Sequence, residues 1–547
     1  MAITSVTIEN FKGIRDPVRV ELKPITLLFG PNSAGKSTVV QALHYGREIF
    51  ERHNLNPDRT QLGGSSIDLG GFENLVHQHD LALPIRLRFD LDLSRDDLPR
   101  YFEAYAELYT DWREETELDQ LPNTVKSAWV EITLQWNRTV GSVLLSSYKV
   151  GVNDEELATI ETSEDGRQIN LTRLAPFNPV FLGDAPKEAA QESTVKLVNG
   201  ENLSGDEIEA LGAVFLRFFD HFNTDEGVPG LTKNIPLDNQ KSALPQWGMP
   251  LRISRSIWEE VLDSQSEADF TEVLSSLIVG PGELIRDALR NLCYVGPLRE
   301  VPRRGHRPSM TPDASRWANG LGAYDKLFNG DGEFINRVNH WLSSDQRLNS
   351  GYNLEVKKYR ELEDDNPLML ALQQDRLLDE DIDFRKGILA LPIKRRLLIR
   401  DEARNMELEP QDIGVGISQM LPVVVAALGH KVGIVAIEQP ELHIHPALQV
   451  ALGDLFIEQV QASPDMIFIL ETHSEHLLLR LMRRIRETYS SSMNYQEFPL
   501  RHDQLGVWFV ELLEERTVVR EMPVNEYGEL IKAWPGGFFE EGLGEVF

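Results

Sequence analysis

Apolar residues alternate with polar ones along residues 3 to 8 and again at Val18, Val20 and Leu22, which predicts an antiparallel pair of strands. The apolar run Ile25 to Phe29 reads as a further strand, and Val39-Val40-Gln41-Ala42-Leu43 as part of a helix. Alternation returns at Ile85, Leu87, Phe89 and Leu91, then at 128–136 and 143–152, with an acidic helical stretch near 95–118 in between. Segments 172–204 and 226–250, rich in Pro, Gly, Asn and Asp, read as long loops around a helix at 206–222. Residues 255–345 are mostly helical in pattern, interrupted by Tyr294-Val295-Gly296-Pro297-Leu298-Arg299 and the basic loop beyond it. Strands are expected again at 352–360 and 388–400.

Two later runs lack polar alternation. Lys431 to Ile437 and Met466 to Leu470 fit buried strands, the first ending in Glu438-Gln439-Pro440-Glu441 and the second in Glu471-Thr472-His473-Ser474-Glu475. Pro446 suits the first turn of a helix with Leu448, Leu452, Leu455 and Phe456 on its apolar face, and Thr472 with Glu475 has capping-box spacing for the next helix. The remainder reads as strands at 506–513 and 517–524 and an aromatic tail, Trp534-Pro535-Gly536-Gly537-Phe538-Phe539, expected to pack on its own sheet. Neither a fixed-period repeat nor a heptad seam is present, which argues against long coiled-coil arms.

With 547 residues the chain has room for about two to four structural units. Its 55 basic and 86 acidic side chains leave a net charge of −31, so any nucleic-acid contact has to be local. A single cysteine, Cys293, excludes an intrachain disulfide and a cysteine-based zinc cluster. The strand-like start at Ile3 and the lack of a long apolar run predict a soluble cytoplasmic protein with no membrane span.

The most specific chemistry lies in Gly30-Pro31-Asn32-Ser33-Ala34-Gly35-Lys36-Ser37-Thr38, which has the spacing G-x-x-x-x-G-K-[ST] between a strand and a helix. Backbone amides of Asn32, Ser33, Ala34 and Gly35, together with Lys36, Ser37 and Thr38, are expected to cradle a nucleoside triphosphate. Lys36 would neutralise the outer phosphates and Ser37 would offer a hydroxyl to Mg2+. A carboxylate ending a buried strand is costly without a compensating metal or partner, which makes Glu438 a candidate Mg2+ ligand. His473 stands at a strand-to-helix junction, a position suited to a switch.

In this order the segments resemble the ATP-binding-cassette-type ATPase heads of the SMC, RecF and OLD (overcoming lysogenisation defect) group, closely over residues 3–45, 411–485 and 503–541. Ile8-Glu9-Asn10-Phe11-Lys12-Gly13-Ile14 resembles the start of such heads, Ile437 to Pro446 their Walker B and D-loop, and Glu471 to Ser474 their switch-histidine segment. The resemblance implies an α/β fold, an ABC-type P-loop ATPase head with a mixed central sheet, an antiparallel β subdomain and a helical insertion. The expected division is an N-terminal lobe with the phosphate loop over 1–170, a mainly helical insertion or lid over 171–350, a C-terminal lobe over 351–500 and a β cap over 501–547. Implied cofactors are ATP and Mg2+, and implied catalytic residues are Lys36, Glu438, Gln439, Glu441 and His473.

Asp412 to Gln419 occupies the place of the signature motif, which in this group touches the γ-phosphate held by another subunit. The register among Gly414, Gly416 and Ser418 stays open, because the sequence is not L-S-G-G-Q, and Ser418 reads equally as a plain helix N-cap. The nucleotide would then join a homodimer or higher even oligomer. Two departures stand out. Gln439 fills the position of the usual hydrolytic acid, and an amide cannot accept a proton at neutral pH. Either Glu441 or Glu438 serves instead, or hydrolysis is slow and ATP acts as a clamp, while Glu441 reads equally as a helix-capping acid. No clear Q-loop glutamine is present, Gln78 being a weak candidate and the segment around Arg299 another.

OLD-type nucleases continue into a Toprim domain, yet no D-x-D follows His473 here. The ending resembles the cap of stand-alone ATPases of the group, several of which accompany a separate effector, often a nuclease, in bacterial anti-phage systems. The implied function is an ATPase whose ATP-dependent dimerisation gates DNA or effector engagement. The alternatives are a RecF-like DNA-repair ATPase and an ATP-clamped scaffold with negligible hydrolysis. Local nucleic-acid candidates are Arg303, Arg304 and Arg307; Lys394, Arg395, Arg396 and Arg400; and Arg480, Arg483, Arg484 and Arg486. Glu355-Val356-Lys357 with Pro312-Asp313 matches part of a nuclease pattern, better explained as a charged strand face. His77 with His79, and His443 with His445, read as loop residues rather than zinc ligands.

Overall fold

The computed structural model describes residues 2–60, 67–101, 121–175, 178–182, 234–254, 264–305, 308–309, 311, 313–373, 384–490 and 497–538. The helix expected at 206–222, most of that at 95–118, and Arg307, Pro312 and Phe539 lie outside the described residues. Strands β1 (Ala2–Glu9) and β2 (Val18–Glu21) pair antiparallel with Val6 opposite Val20, as their alternation predicts. The apolar β3 (Ile25–Phe29) runs through the glycine-rich loop into α1 (Ser37–Arg52). Strands β4 (Ile85–Asp92), β5 (Ser127–Asn137), β6 (Ser142–Val152), β7 (Glu155–Thr162), β8 (Ile169–Leu174) and β9 (Ile235–Pro236) complete an eight-stranded antiparallel sheet, ordered β2-β1-β4-β5-β6-β7-β8-β9. Strands β7 and β8 go beyond the expected ones. Register shifts at Val150/Gly151 and Thr159/Ile160 disrupt the alternation that would reveal them.

Helices α2 (Ser264–Ile278) and α3 (Gly280–Arg290) lead to β10 (Cys293–Val295), followed by α4 (Leu321–Asn329) and α5 (Gly332–Ser343). Strands β11 (Tyr352–Tyr359), β12 (Lys394–Asp401) and β13 (Met406–Leu408) form a small antiparallel sheet. The strand expected over 388–400 begins only at Lys394, because Phe384–Ala390 is helical. The C-terminal part supplies α6 (Val415–Gly429), β14 (Gly433–Glu438), α7 (Pro446–Ala462), β15 (Met466–Glu471), α8 (Glu475–Tyr489), β16 (Leu505–Leu513) and β17 (Arg516–Glu521).

The central sheet has the order β10-β14-β15-β3-β16-β17 and is parallel except for β17. Its strands read as apolar runs because both faces are covered. Leu28, Ile434, Ala436, Ile467 and Ile469 join the core shared with α1 and the antiparallel sheet, whereas Leu27, Phe29, Val435, Ile437, Phe468 and Leu470 join the core under α6, α7 and α8. Strands far apart in sequence thus become neighbours, and their C-terminal ends place the phosphate loop beside both acidic strand ends. No helix among the described residues is long and apolar enough to cross a membrane.

Candidate nucleotide site

The loop after β3 turns where its glycines allow. Gly30 has φ +144° and Gly35 φ +97°, and a side chain on Gly30 would lie 1.9 Å from the Val510 carbonyl oxygen of β16. Asn32 and Ser33 are exposed, Ala34, Lys36 and Thr38 are buried, and Gly35 and Ser37 are partly exposed. Lys36 Nζ donates to the carbonyls of Gly30 at 3.0 Å and Pro31 at 2.9 Å and stands 3.9 Å from Glu471. Burial lowers the Lys36 pKa, opposed by the charges of Glu471, Glu438 and Glu441. Beneath the loop, Thr517 of β17 donates its hydroxyl to Ala34 O at 3.0 Å and its amide to Gly13 O at 2.8 Å, so the C-terminal hairpin braces the loop.

Glu438 and Glu471 are register partners at the ends of β14 and β15. Ser37 donates to Glu471 at 2.7 Å, and the hydroxyls of Ser37 and Tyr294 both help to hold down the pKa of Glu438. Burial first, and the Glu471 charge second, push Glu438 up to about 7, and burial likewise raises Glu471. A hydroxyl and two carboxylates that repel each other form the hard-oxygen donor set that Mg2+ prefers, and a cation there would relieve the repulsion. Among the described residues no three His, Cys, Asp or Glu side chains could hold a metal by themselves. Mg2+ commonly completes its shell with water and substrate phosphates, so Ser37, Glu438 and Glu471 would suffice, and the ion would neutralise charge on the phosphates.

Glu441 is engaged on both oxygens, accepting the Thr472 hydroxyl at 2.7 Å and the His473 amide at 2.8 Å. The cap expected at Thr472 is therefore supplied by Ser474, whose Oγ accepts the Leu477 amide at 3.0 Å. Burial and the nearby Lys36 lower the His473 pKa, favouring the neutral ring. Gln439 adopts φ +46° as the chain leaves β14. Its conformation is braced by Arg299, only 3 % exposed, whose guanidinium donates to the carbonyls of Glu438 at 2.7 Å, Gln439 at 3.0 Å and Gln419 at 3.1 Å. Arg299 thus ties the end of β14 to α6 through its two terminal nitrogens, while its buried Nε has no hydrogen-bond partner among the described residues.

The signature segment begins at Gly414, the uncapped N-cap of α6. Gly414 faces open space, Val415 is 60 % exposed, and a side chain on Gly416 would come 2.9 Å from the His443 carbonyl. Ser418 is 4 % exposed and donates to Val415 O at 2.9 Å within the helix. Gln78 sits exposed in a turn whose His77 and His79 bond backbone carbonyls of Lys12 and Glu73 at 2.9 Å, and His445 caps α7. Glu471 and Thr517 are contributors that no sequence motif assigned. Glu471 carried the same mark as Glu438, an acid ending an apolar strand, whereas nothing local marks Thr517.

Residues 1–67 match the family described as "AAA ATPase domain", and residues 339–480 match the family described as "AAA domain, putative AbiEii toxin, Type IV TA system". Together with the phosphate-loop geometry these two partial matches are those of a P-loop ATPase domain of AAA type. No curated protein matches the chain. Similar solved structures include an Smc head bound to the C-winged helix domain of ScpA (9 % identity, 96 % of this chain and 98 % of that chain, TM-score 0.37). A second is the Smc head from Pyrococcus furiosus with an extended coiled coil bound to the C-terminal domain of ScpA (10 %, 100 % and 98 %, TM-score 0.35). A third is the SMC head domain from Thermotoga maritima (10 %, 96 % and 100 %, TM-score 0.34).

Proposed function

We propose that this ATPase holds Mg2+-ATP on the phosphate loop and that ATP draws two copies together, the Gly414–Gly416 helix start of one completing the γ-phosphate site of the other. Pairing gates engagement of DNA or of a separate effector, a nuclease being the favoured kind, in cytoplasmic anti-phage defence. The observation that carries this reading is the meeting of Lys36, Ser37, Glu438 and Glu471 at one end of the central sheet. The exposed, uncapped start of α6 beside His443 gives the pairing its surface. The family matched over 339–480 is described as a putative toxin of a type IV TA system, which is compatible with a defence setting.

A second reading, ATP as a clamp with negligible turnover, is favoured by Gln439 at the acid position and by the engagement of both Glu441 oxygens. Phosphate release under saturating Mg2+-ATP decides between them. Steady turnover that Lys36→Ala lowers at least a hundredfold supports the hydrolytic cycle, the loss expected when charge stabilisation of the transferred phosphoryl is removed. Tight ATP binding without turnover supports the clamp, and no ATP binding contradicts both.

A further inference from the structure

Of the three basic clusters in the sequence, one is consumed internally. Arg480 and Arg484 both bond the buried Asp454, Arg483 and Arg484 pair with Glu487, and Arg486 donates to the Tyr527 carbonyl. Residues of the other two, distant in sequence, line one cleft of about 780 Å3 together, remote in the chain from the phosphate loop. The loop after Pro302 supplies Arg303 and Arg304, and the small sheet supplies Lys358, Lys394, Arg395 and Arg396. Among the described residues Glu361 pairs with Lys394, Glu409 with Arg304 and Arg396, and Asp412 with Arg304, on a chain whose net charge is −31.

The sheet bears an unusual burden here. Lys358 lies directly opposite Arg395, and Lys357 opposite Arg396, and like charges so placed repel. Arg396 is offset by Glu409, Lys357 by Glu407 at 2.6 Å, and Arg395 by the Phe328 carbonyl at 2.5 Å. Arg303 and Lys358 have no ion pair among the described residues, and both are exposed. Beside them, Tyr359 is 38 % and Ile393 56 % exposed, giving the cleft an apolar face next to its cations.

We infer that this cleft is a binding site for single-stranded nucleic acid, which deepens the DNA engagement proposed above and rests on that reading. Guanidinium groups match phosphodiester oxygens in pairs, and four of the six cations are arginines. An exposed aromatic ring beside a cationic track is the arrangement on which unpaired bases stack, whereas a duplex keeps its bases inside. The cleft also adjoins the nucleotide machinery, because Arg304 bonds Asp412 at 2.6 Å, two residues before Gly414.

The test is fluorescence anisotropy of labelled oligothymidylate, oligouridylate and a DNA duplex over a series of salt concentrations, with and without Mg2+-ATP. The parent protein should bind a single strand better than the duplex, the two strand chemistries showing whether DNA or RNA is preferred. The double variant Arg303→Glu/Lys358→Glu should bind at least tenfold more weakly. Its slope of log affinity against log salt should be shallower by about 1.4, roughly 0.7 for each phosphate no longer neutralised. Lys358→Glu alone serves if the double variant melts early, and Lys358→Arg should restore binding. Unchanged affinity and slope in the variants, preference for the duplex, or equal competition by polyglutamate would overturn the inference. Strand binding that is equally tight with and without Mg2+-ATP would uphold the cleft and count against the ATP-gated reading alone, and binding in neither condition would overturn the inference.

Discussion

Lys36, Ser37 and the glycines around them could be read from nine consecutive letters, because a phosphate cradle is a local object. Glu471 could not, since its importance comes from lying opposite Glu438 in a pairing of strands separated by α7. This acidic pair predicts a pH dependence. The folded chain holds a proton on Glu438 up to about 7, whereas its ordinary value, near that of the unfolded chain, is 4.5. The folded state therefore binds more protons in that window, and this group's contribution to stability, full below 4.5, is lost as pH rises through 7. Glu438→Gln removes the titration, so thermal melts without nucleotide should show the variant gaining on the parent as pH rises from 4.5 to 7. Parallel curves for the two proteins would contradict the raised Glu438 pKa, which burial and then the Glu471 charge produce.

At the scale of elements, alternation identified β1, β2 and β4, and unbroken apolar runs identified β3, β14 and β15. Each of those patterns matches the number of faces that the strand buries. Strands β7 and β8 escaped because bulges shift the period, and the helix at Phe384–Ala390 occupies part of an expected strand. The cap at Ser474 shows a local rule overruled by a tertiary bond, Thr472 being drawn to Glu441. The brace from β17 to the phosphate loop is tertiary too. Thr517→Val keeps the shape but leaves the Ala34 carbonyl without its hydroxyl donor, at a cost of about 1 to 3 kcal/mol. Calorimetric titration with ATP should show affinity falling severalfold in this variant while the sheet stays folded. Unaltered affinity would mean that the hairpin only fills space.

For the whole molecule, the expected P-loop ATPase agrees with the AAA families matched over 1–67 and 339–480, while the meeting of two basic segments in one cleft was beyond reach of a linear reading. Each segment alone is compatible with an ordinary solvated face, and only the placement of β11 and β12 against the loop after Pro302 unites them. Assembly also belongs to this scale. The phosphate loop and the acidic strand ends make a site whose γ-phosphate side, in the proposed pairing, the exposed α6 start of a second copy would close. The most direct measurement is molar mass by light scattering with and without Mg2+-ATP, on the parent and on Lys36→Ala. A doubling of mass with nucleotide in the parent and its loss in the variant is the predicted result; a parent that turns over ATP at unchanged monomer mass would contradict the account.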